Sequence, residues 1–185
     1  EDEFEFTIQE QIAQATDSAD VIAVVVEAHL QVTEEDRRVA KMALKSKKDV
    51  ILIANKIDKA KDSSTEYWRK LGIKTIFGTS AIHNGGIYEF LGGLTELLPH
   101  ATIKEDDNRI VLSLLGRPNV GKSALFNALC KKQQAIVADR AGTTRDINRT
   151  SIRYKQREIE ILDTAGIRRS GKIEQGVEKF SVIRS

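Results

Sequence analysis

Gly116-Arg117-Pro118-Asn119-Val120-Gly121-Lys122-Ser123 follows the apolar run IVLSLL, residues 110–115, and opens the segment KSALFNALCKK, residues 122–132. The spacing is GxxxxGK[ST], set between an expected strand and an expected helix, the context in which that pattern forms a phosphate-binding loop. Two glycines let the backbone wrap a phosphate group, and successive N–H groups at the helix N-terminus supply an anion site. Lys122 is placed to reach the β- and γ-phosphates of a nucleotide, and the Ser123 hydroxyl to ligate Mg²⁺.

Four further motifs give this loop a chemical context. Asp163-Thr164-Ala165-Gly166 ends the expected strand REIEIL. A carboxylate there holds Mg²⁺ through water, and the Gly166 amide senses the γ-phosphate. Gly142-Thr143-Thr144-Arg145-Asp146 lies between the two motifs, in a stretch without periodicity. A threonine hydroxyl in such a loop completes the Mg²⁺ shell while γ-phosphate is present. Asn55-Lys56-Ile57-Asp58 follows the run VILIA. A carboxylate at Asp58 accepts from both N1–H and the 2-amino group of guanine, donors that adenine lacks. Asn55 is expected to bond the base edge and the phosphate loop, and the Lys56 stem to cover the ring. Ser80-Ala81, after another strand, is expected to aim backbone amides at guanine O6. The candidate catalytic groups are Lys122, Thr144 and Gly166, and the candidate metal ligands Ser123, Thr144 and Asp163.

Outside the motifs, apolar spacing predicts a helix over residues 7–18, with Ile8, Ile12 and Ala15 on one face. The run VIAVVV, residues 21–26, reads as a strand buried on both faces. A helix over 33–46 has Thr33 as N-cap and acids in its first turn. Residues 49–55 form a second buried strand, 64–71 a helix, 74–78 a strand and 87–98 a helix behind a glycine pair. Residues 99–109 lose all periodicity and read as a linker. Two strands joined by a tight turn at Gln156 follow later, and a helix is expected over 172–184. Alternating strands and helices predict an α/β fold: a three-layer sandwich of P-loop nucleotidase type, with a mostly parallel sheet and the motif order permuted.

Composition narrows the possibilities. The 185 residues carry 29 basic and 27 acidic side chains, so bulk charge makes no case for a nucleic-acid or membrane partner. Cys130 is the single cysteine, which excludes an internal disulfide and fits a reducing compartment. Within the run ALFNALC it reads as a buried helix residue. No stretch reaches the roughly 18 apolar residues of a membrane span. His29, His83 and His100 share no metal-ligand spacing and read as surface or loop residues. Trp68 reads as packing, Lys45, Lys47 and Lys48 as a solvated helix end, and Arg168, Arg169 and Lys172 as a solvated basic patch.

The five motifs together resemble the TRAFAC GTPases. GRPNVGKS, GTTRD and DTAGIRRSGKIEQGVEKFSVIRS closely resemble the second G domain of the EngA/Der family, which carries two tandem G domains. Residues 1–100 resemble the back half of a G domain, with NKID and SAIHNGG in order. The resemblance implies the end of one G domain (1–100), a linker (101–109), and the beginning of the next (110–185). A circularly permuted GTPase is the alternative, and the two complementary halves also suit assembly into one permuted domain. GTP or GDP and Mg²⁺ are the implied cofactors, with Gly116, Arg117, Pro118, Asn119, Val120, Gly121, Lys122, Ser123, Asp163, Thr164, Ala165, Gly166, Ile167, Asn55, Lys56, Ile57, Asp58, Ser80 and Ala81 as nucleotide-binding residues. Thr144 matches the switch threonine, and Asn119 the asparagine associated with K⁺. Ile167 stands where many GTPases carry a water-orienting glutamine. GTP hydrolysis, a cytoplasmic setting and a role in assembling the large ribosomal subunit, through ribosomal RNA and proteins, are what the family implies. Glu27 departs from the family's usual aspartate, and Asn84-Gly85-Gly86 from its Gly-x-Gly.

Overall fold

A computed structural model describes residues 3–62, 64–97, 109–132 and 148–163. The elements in chain order are α1 (Glu3–Ser18), β1 (Val21–Glu27), α2 (Glu34–Lys45), β2 (Asp49–Asn55), β3 (Thr75–Thr79), α3 (Ile87–Leu97), β4 (Arg109–Leu115), α4 (Lys122–Lys132), β5 (Asn148–Tyr154) and β6 (Arg157–Asp163). Six strands make one sheet in the order β3-β2-β1-β4-β6-β5, parallel throughout except for the β5–β6 pair. The α/β class and mostly parallel sheet expected from the sequence are therefore present.

β1 explains the layering. All seven of its residues are buried, and alternate side chains point to opposite faces. Val21, Ala23 and Val25 pack with Phe90 and Leu94 of α3 and Leu125 and Leu129 of α4. Ile22, Val24 and Val26 pack with Ala15 of α1 and Val39 and Ala43 of α2 on the other face. A strand covered on both sides needs no polar alternation, which is why VIAVVV is continuously apolar. β1 also pairs with β4, Val21 opposite Leu112, so the strands of the two sequence halves meet at the middle of the sheet.

Local chemistry sets the element ends. Thr33 caps α2 by a full capping box: its hydroxyl accepts from the Asp36 N–H, and the Asp36 carboxylate accepts from the Thr33 N–H. Lys155 and Gln156 both lie at positive φ, 45° and 65°, giving the two-residue turn between β5 and β6 that the right-handed strand twist favours. Gly86 precedes α3 at φ 70°, where a Cβ would strike the Gly78 carbonyl.

Some expectations need correction. The helix expected over 64–71 is a 3₁₀ segment, Glu66–Leu71, because Thr65 gives no side-chain cap and Gly72 turns left-handed at φ 79°. It still buries Trp68 and Leu71, three residues apart on one edge. β4 begins at Arg109, at the edge of the expected linker, where the guanidinium bonds Glu160 of β6 at 2.9 Å. Residues 98–108 and the helix expected over 172–184 lie outside the described residues, as do Arg168, Arg169, Lys172 and His100. No described helix is long and apolar enough to cross a membrane.

Replacing Thr33 by alanine removes the hydroxyl half of the capping box. The expected cost is about 1 kcal/mol, read as a lower urea midpoint at unchanged slope; an unchanged midpoint contradicts it.

Candidate functional site

The carboxyl ends of four parallel strands meet at one edge of the sheet: Glu27, Asn55, Thr79 and Leu115. Open α/β sheets bind ligands at this edge. Residues 116–121 run from β4 into α4, which begins at Lys122.

Asn55 is 1% exposed and ties this loop to the segment after β2. Its Nδ2 donates to the Val120 carbonyl at 3.2 Å. Its Oδ1 accepts from Thr79 Oγ1 at 3.1 Å and from the Ala81 N–H at 3.2 Å. Gly121, at φ 96°, lies so close that a Cβ would strike Asn55 Nδ2. That position therefore requires glycine for both conformation and space.

Charged side chains bind the same parts together. Lys56 is left-handed at φ 64°, and its Nζ donates to Glu27 Oε2 at 2.7 Å and to the Asn119 carbonyl at 2.9 Å. Arg117 donates from Nη2 to Glu27 Oε1 at 3.1 Å and from Nε to Asp36 Oδ1 at 3.2 Å. A single carboxylate, Glu27, thus holds both the phosphate loop and the loop after β2, while Arg117 reaches on to the cap of α2. Burial raises the Glu27 pKa, but the Lys56 hydrogen bond and the charges of Lys56, Arg117 and His29 together bring it below the ordinary 4.5.

On the far side of Asn55, Ser80 Oγ donates to Asp58 Oδ1 at 2.5 Å, and His83 Nε2 stands 3.8 Å from Oδ2. The Ser80 bond lowers the Asp58 pKa below its ordinary 3.8; partial desolvation opposes it, and the aspartate's own amide assists. The sequence reading gave the Ser80 and Ala81 amides to a base oxygen. Within the protein, Ser80 N–H donates to Gly85 O at 2.9 Å, and Ala81 N–H to Asn55 Oδ1 at 3.2 Å. The tight bridge between Ser80 and Gly85 folds the loop back on itself around left-handed Asn84.

Lys122 Nζ donates to the carbonyls of Gly116 at 2.7 Å and Arg117 at 2.8 Å, holding its ammonium within the loop. Ser123 is exposed in the first turn of α4. A cavity of about 370 Å³ is lined by Lys56, Asn119, Lys122 and Ser123 and by Thr7, Ile8 and Gln11 of α1. Pro118 also lines it, while Val120 points into the core. Ile57 is half-buried and packs on Gly78. Asp163 ends β6, beside β4 in the sheet. Thr143, Thr144, Thr164, Ala165, Gly166 and Ile167 lie outside the described residues. Cys130 is only half-buried, with desolvation pushing its thiol up to about 11, so it has no reactive thiolate at neutral pH.

Sequence reasoning missed Asp36, Thr79 and Gln11, and did not foresee the joint role of Glu27 and Arg117. Asp36 left a signal as one of the acids after Thr33, and Gln11 by lying between Ile8 and Ala15 on the apolar stripe of α1, where it is buried.

This sheet order, with a GxxxxGK[ST] loop entering a helix beside an NKxD loop, is that of a P-loop nucleotidase-type fold. Residues 111–184 match the family described as 50S ribosome-binding GTPase, and residues 5–96 match one described as ethanolamine utilisation - propanediol utilisation. Within the class, the chain is similar over nearly its whole length to GTPase Der. It is 38% identical to GTPase Der of Limosilactobacillus fermentum over 180 residues, 96% of this chain and 41% of the relative. The identity is 39% over 193 residues with that of Myxococcus xanthus, 99% of this chain and 42% of the relative. With that of Streptococcus uberis it is 40% over 180 residues, 96% and 41%. The chain thus spans about two-fifths of the length of these curated relatives.

Two outcomes follow from the charge network. Because the folded-state pKa of Glu27 lies below 4.5, its contribution is complete above that pH and is lost as pH falls through the folded value. Glu27→Gln is expected to cost about 2 kcal/mol at pH 7, with the gap from the parent closing in acid; a pH-independent gap in urea melts contradicts this. Ser80→Ala is expected to raise the Asp58 pKa, followed by carboxyl NMR titration, and an unchanged value contradicts the assignment of the shift to Ser80.

Proposed function

We propose that the chain binds a guanine nucleotide in one site built from residues 55–58 and 116–123, and that in its longer parent this machinery hydrolyses GTP. The observation carrying the proposal is the Asn55–Val120 hydrogen bond at 3.2 Å, which fixes the guanine-reading loop against the phosphate loop. Asp58, held ionised by Ser80, accepts from the two donors of guanine. The N–H groups at the start of α4 and the ammonium of Lys122 receive the phosphates. Their aim favours the charge that builds on the phosphoryl oxygens as water attacks the γ-phosphorus and the β–γ bridging oxygen departs with GDP.

Mg²⁺ fits this donor set. Ser123 offers a hydroxyl to the cavity from the first turn of α4, and Mg²⁺ in nucleotide sites takes few protein ligands beside phosphate oxygens and water. Ser123, Asp163 and Thr144 would hold it, and it would neutralise phosphate charge. Asn119, beside the phosphates, would help hold K⁺. Catalysis is assigned to Lys122, Thr144 and the Gly166 amide.

The near-full-length similarity to GTPase Der supports residues 1–100 as the back of one G domain and 110–185 as the front of the next, joined at 101–109. The shared sheet supports the two halves closing into one permuted site. For the parent, the proposal extends to a cytoplasmic role in ribosome assembly, its nucleotide state switching affinity for the large ribosomal subunit through ribosomal RNA and proteins; the matched description, 50S ribosome-binding GTPase, supports binding to that subunit.

Fluorescent GDP titrated into the 185-residue chain tests the site. Displacement by unlabelled GDP and not by ADP is expected, as is a loss of about 10²-fold or more in GDP affinity for Asp58→Asn, with a gain for the xanthine nucleotide. Equal displacement by ADP, or unchanged affinity in the variant, overturns the proposal.

A further inference from the structure

The chain carries 29 basic against 27 acidic side chains, but this near balance conceals a local segregation of charge. α2 and the 3₁₀ segment Glu66–Leu71 enclose a groove of about 410 Å³ lined by Arg37, Lys41, Leu44, Lys45, Lys70 and Leu71. Four of these six residues are cationic and none is acidic. The groove shares no lining residue with the phosphate cavity.

Arg37, Lys41 and Lys45 stand at i, i+4 and i+8 of α2, in a row along one face. Like charges at that spacing destabilise a helix. The helix dipole favours Lys45 in the last turn, but it offers nothing to Arg37 near the start. Among the described residues the carboxylate paired with this row is Glu34, 83% exposed and 3.6 Å from Arg37 Nε, where solvent screens most of the attraction. Lys70 faces the row from the other side of the groove. Its ammonium lies 4.2 Å from the centre of the Tyr67 ring, a contact that steadies the charge without neutralising it. Folding gains nothing from gathering these four cations, whereas a polyanion in the groove relieves their mutual repulsion.

The row also selects among polyanions. Its members are about 6 Å apart along the helix axis, which suits charge fixed at regular intervals along a backbone. The acidic side chains of a peptide swing separately and fit such a row less well. A flat lipid surface does not enter a groove. Leu44 is 44% exposed there, an apolar surface that phosphate leaves unused and that the sugar or unstacked base of a single strand covers.

We infer that this groove binds the phosphodiester backbone of single-stranded RNA through Arg37, Lys41, Lys45 and Lys70. The inference rests on the reading of ribosomal RNA as a partner and gives that contact a place; it does not depend on the nucleotide site.

Anisotropy of a fluorescent single-stranded RNA of about ten nucleotides, titrated with the full chain at increasing salt, tests it. Lys41→Gln with Lys70→Gln should weaken binding about tenfold whatever the RNA sequence. The slope of log affinity against log salt should flatten by about 1.4, as for two lost phosphate contacts. The melting temperature should equal the parent's or exceed it. Lys131→Gln with Lys155→Gln removes the same charge from exposed positions outside the groove and should change affinity by no more than about twofold. Equal losses in the two pairs, or a loss in neither, overturn the groove while RNA stands as a partner. A parent chain that binds no RNA even at low salt overturns both. Tighter binding of an oligoglutamate peptide of equal length assigns the groove to an acidic protein and overturns the inference.

Discussion

The Asn55 carboxamide joins the three segments on which the site depends. Its nitrogen holds the Val120 carbonyl of the phosphate loop, and its oxygen gathers Thr79 Oγ1 and the Ala81 amide. All of this occurs at 1% exposure, where a lost partner leaves a polar group stranded at the cost of its full desolvation. Asparagine suits the position because one planar group offers donor and acceptor in opposite directions. Aspartate would lack the donor. The bond also sets the requirement at Gly121, whose backbone must pass so close to the carboxamide that no side chain fits.

Around that neutral contact the ionic links act as a brace. Glu27 receives Lys56 on one oxygen and Arg117 on the other, and Arg117 extends to Asp36. Charge-assisted bonds at low exposure hold geometry better than surface pairs do. The brace runs from the end of β1 to the phosphate loop, to the loop after β2 and to the start of α2. These segments are far apart in sequence, yet the parallel sheet delivers them to one edge because β1 lies between β2 and β4.

Much of this was readable in the sequence, for identifiable reasons. The strand of residues 21–27 shows itself as an unbroken apolar run because both its faces are covered, and the α2 start shows itself through Thr33 and the acids after it. The phosphate loop is legible because its spacing encodes backbone geometry. What stayed hidden depends on tertiary contact. Nothing local says that Arg117 will meet Glu27, or that the Ser80 amide will bond Gly85 and the Ala81 amide Asn55. The 3₁₀ segment at 66–71 was misread because Trp68 and Leu71 satisfy both helical periods over so short a stretch. Gln11 was visible as a polar residue on an apolar stripe, but its place against the phosphate cavity required seeing where α1 lies.

The central claim is that the guanine-reading and phosphate loops are parts of one site. A ¹⁵N–¹H correlation spectrum of the labelled chain, recorded across additions of GDP with Mg²⁺, tests it most directly. Amides of residues 55–58 and of residues 116–123 should shift together and saturate at one equivalent. Shifts confined to the phosphate loop, or two sets saturating at different concentrations, would show that the loops do not share a nucleotide.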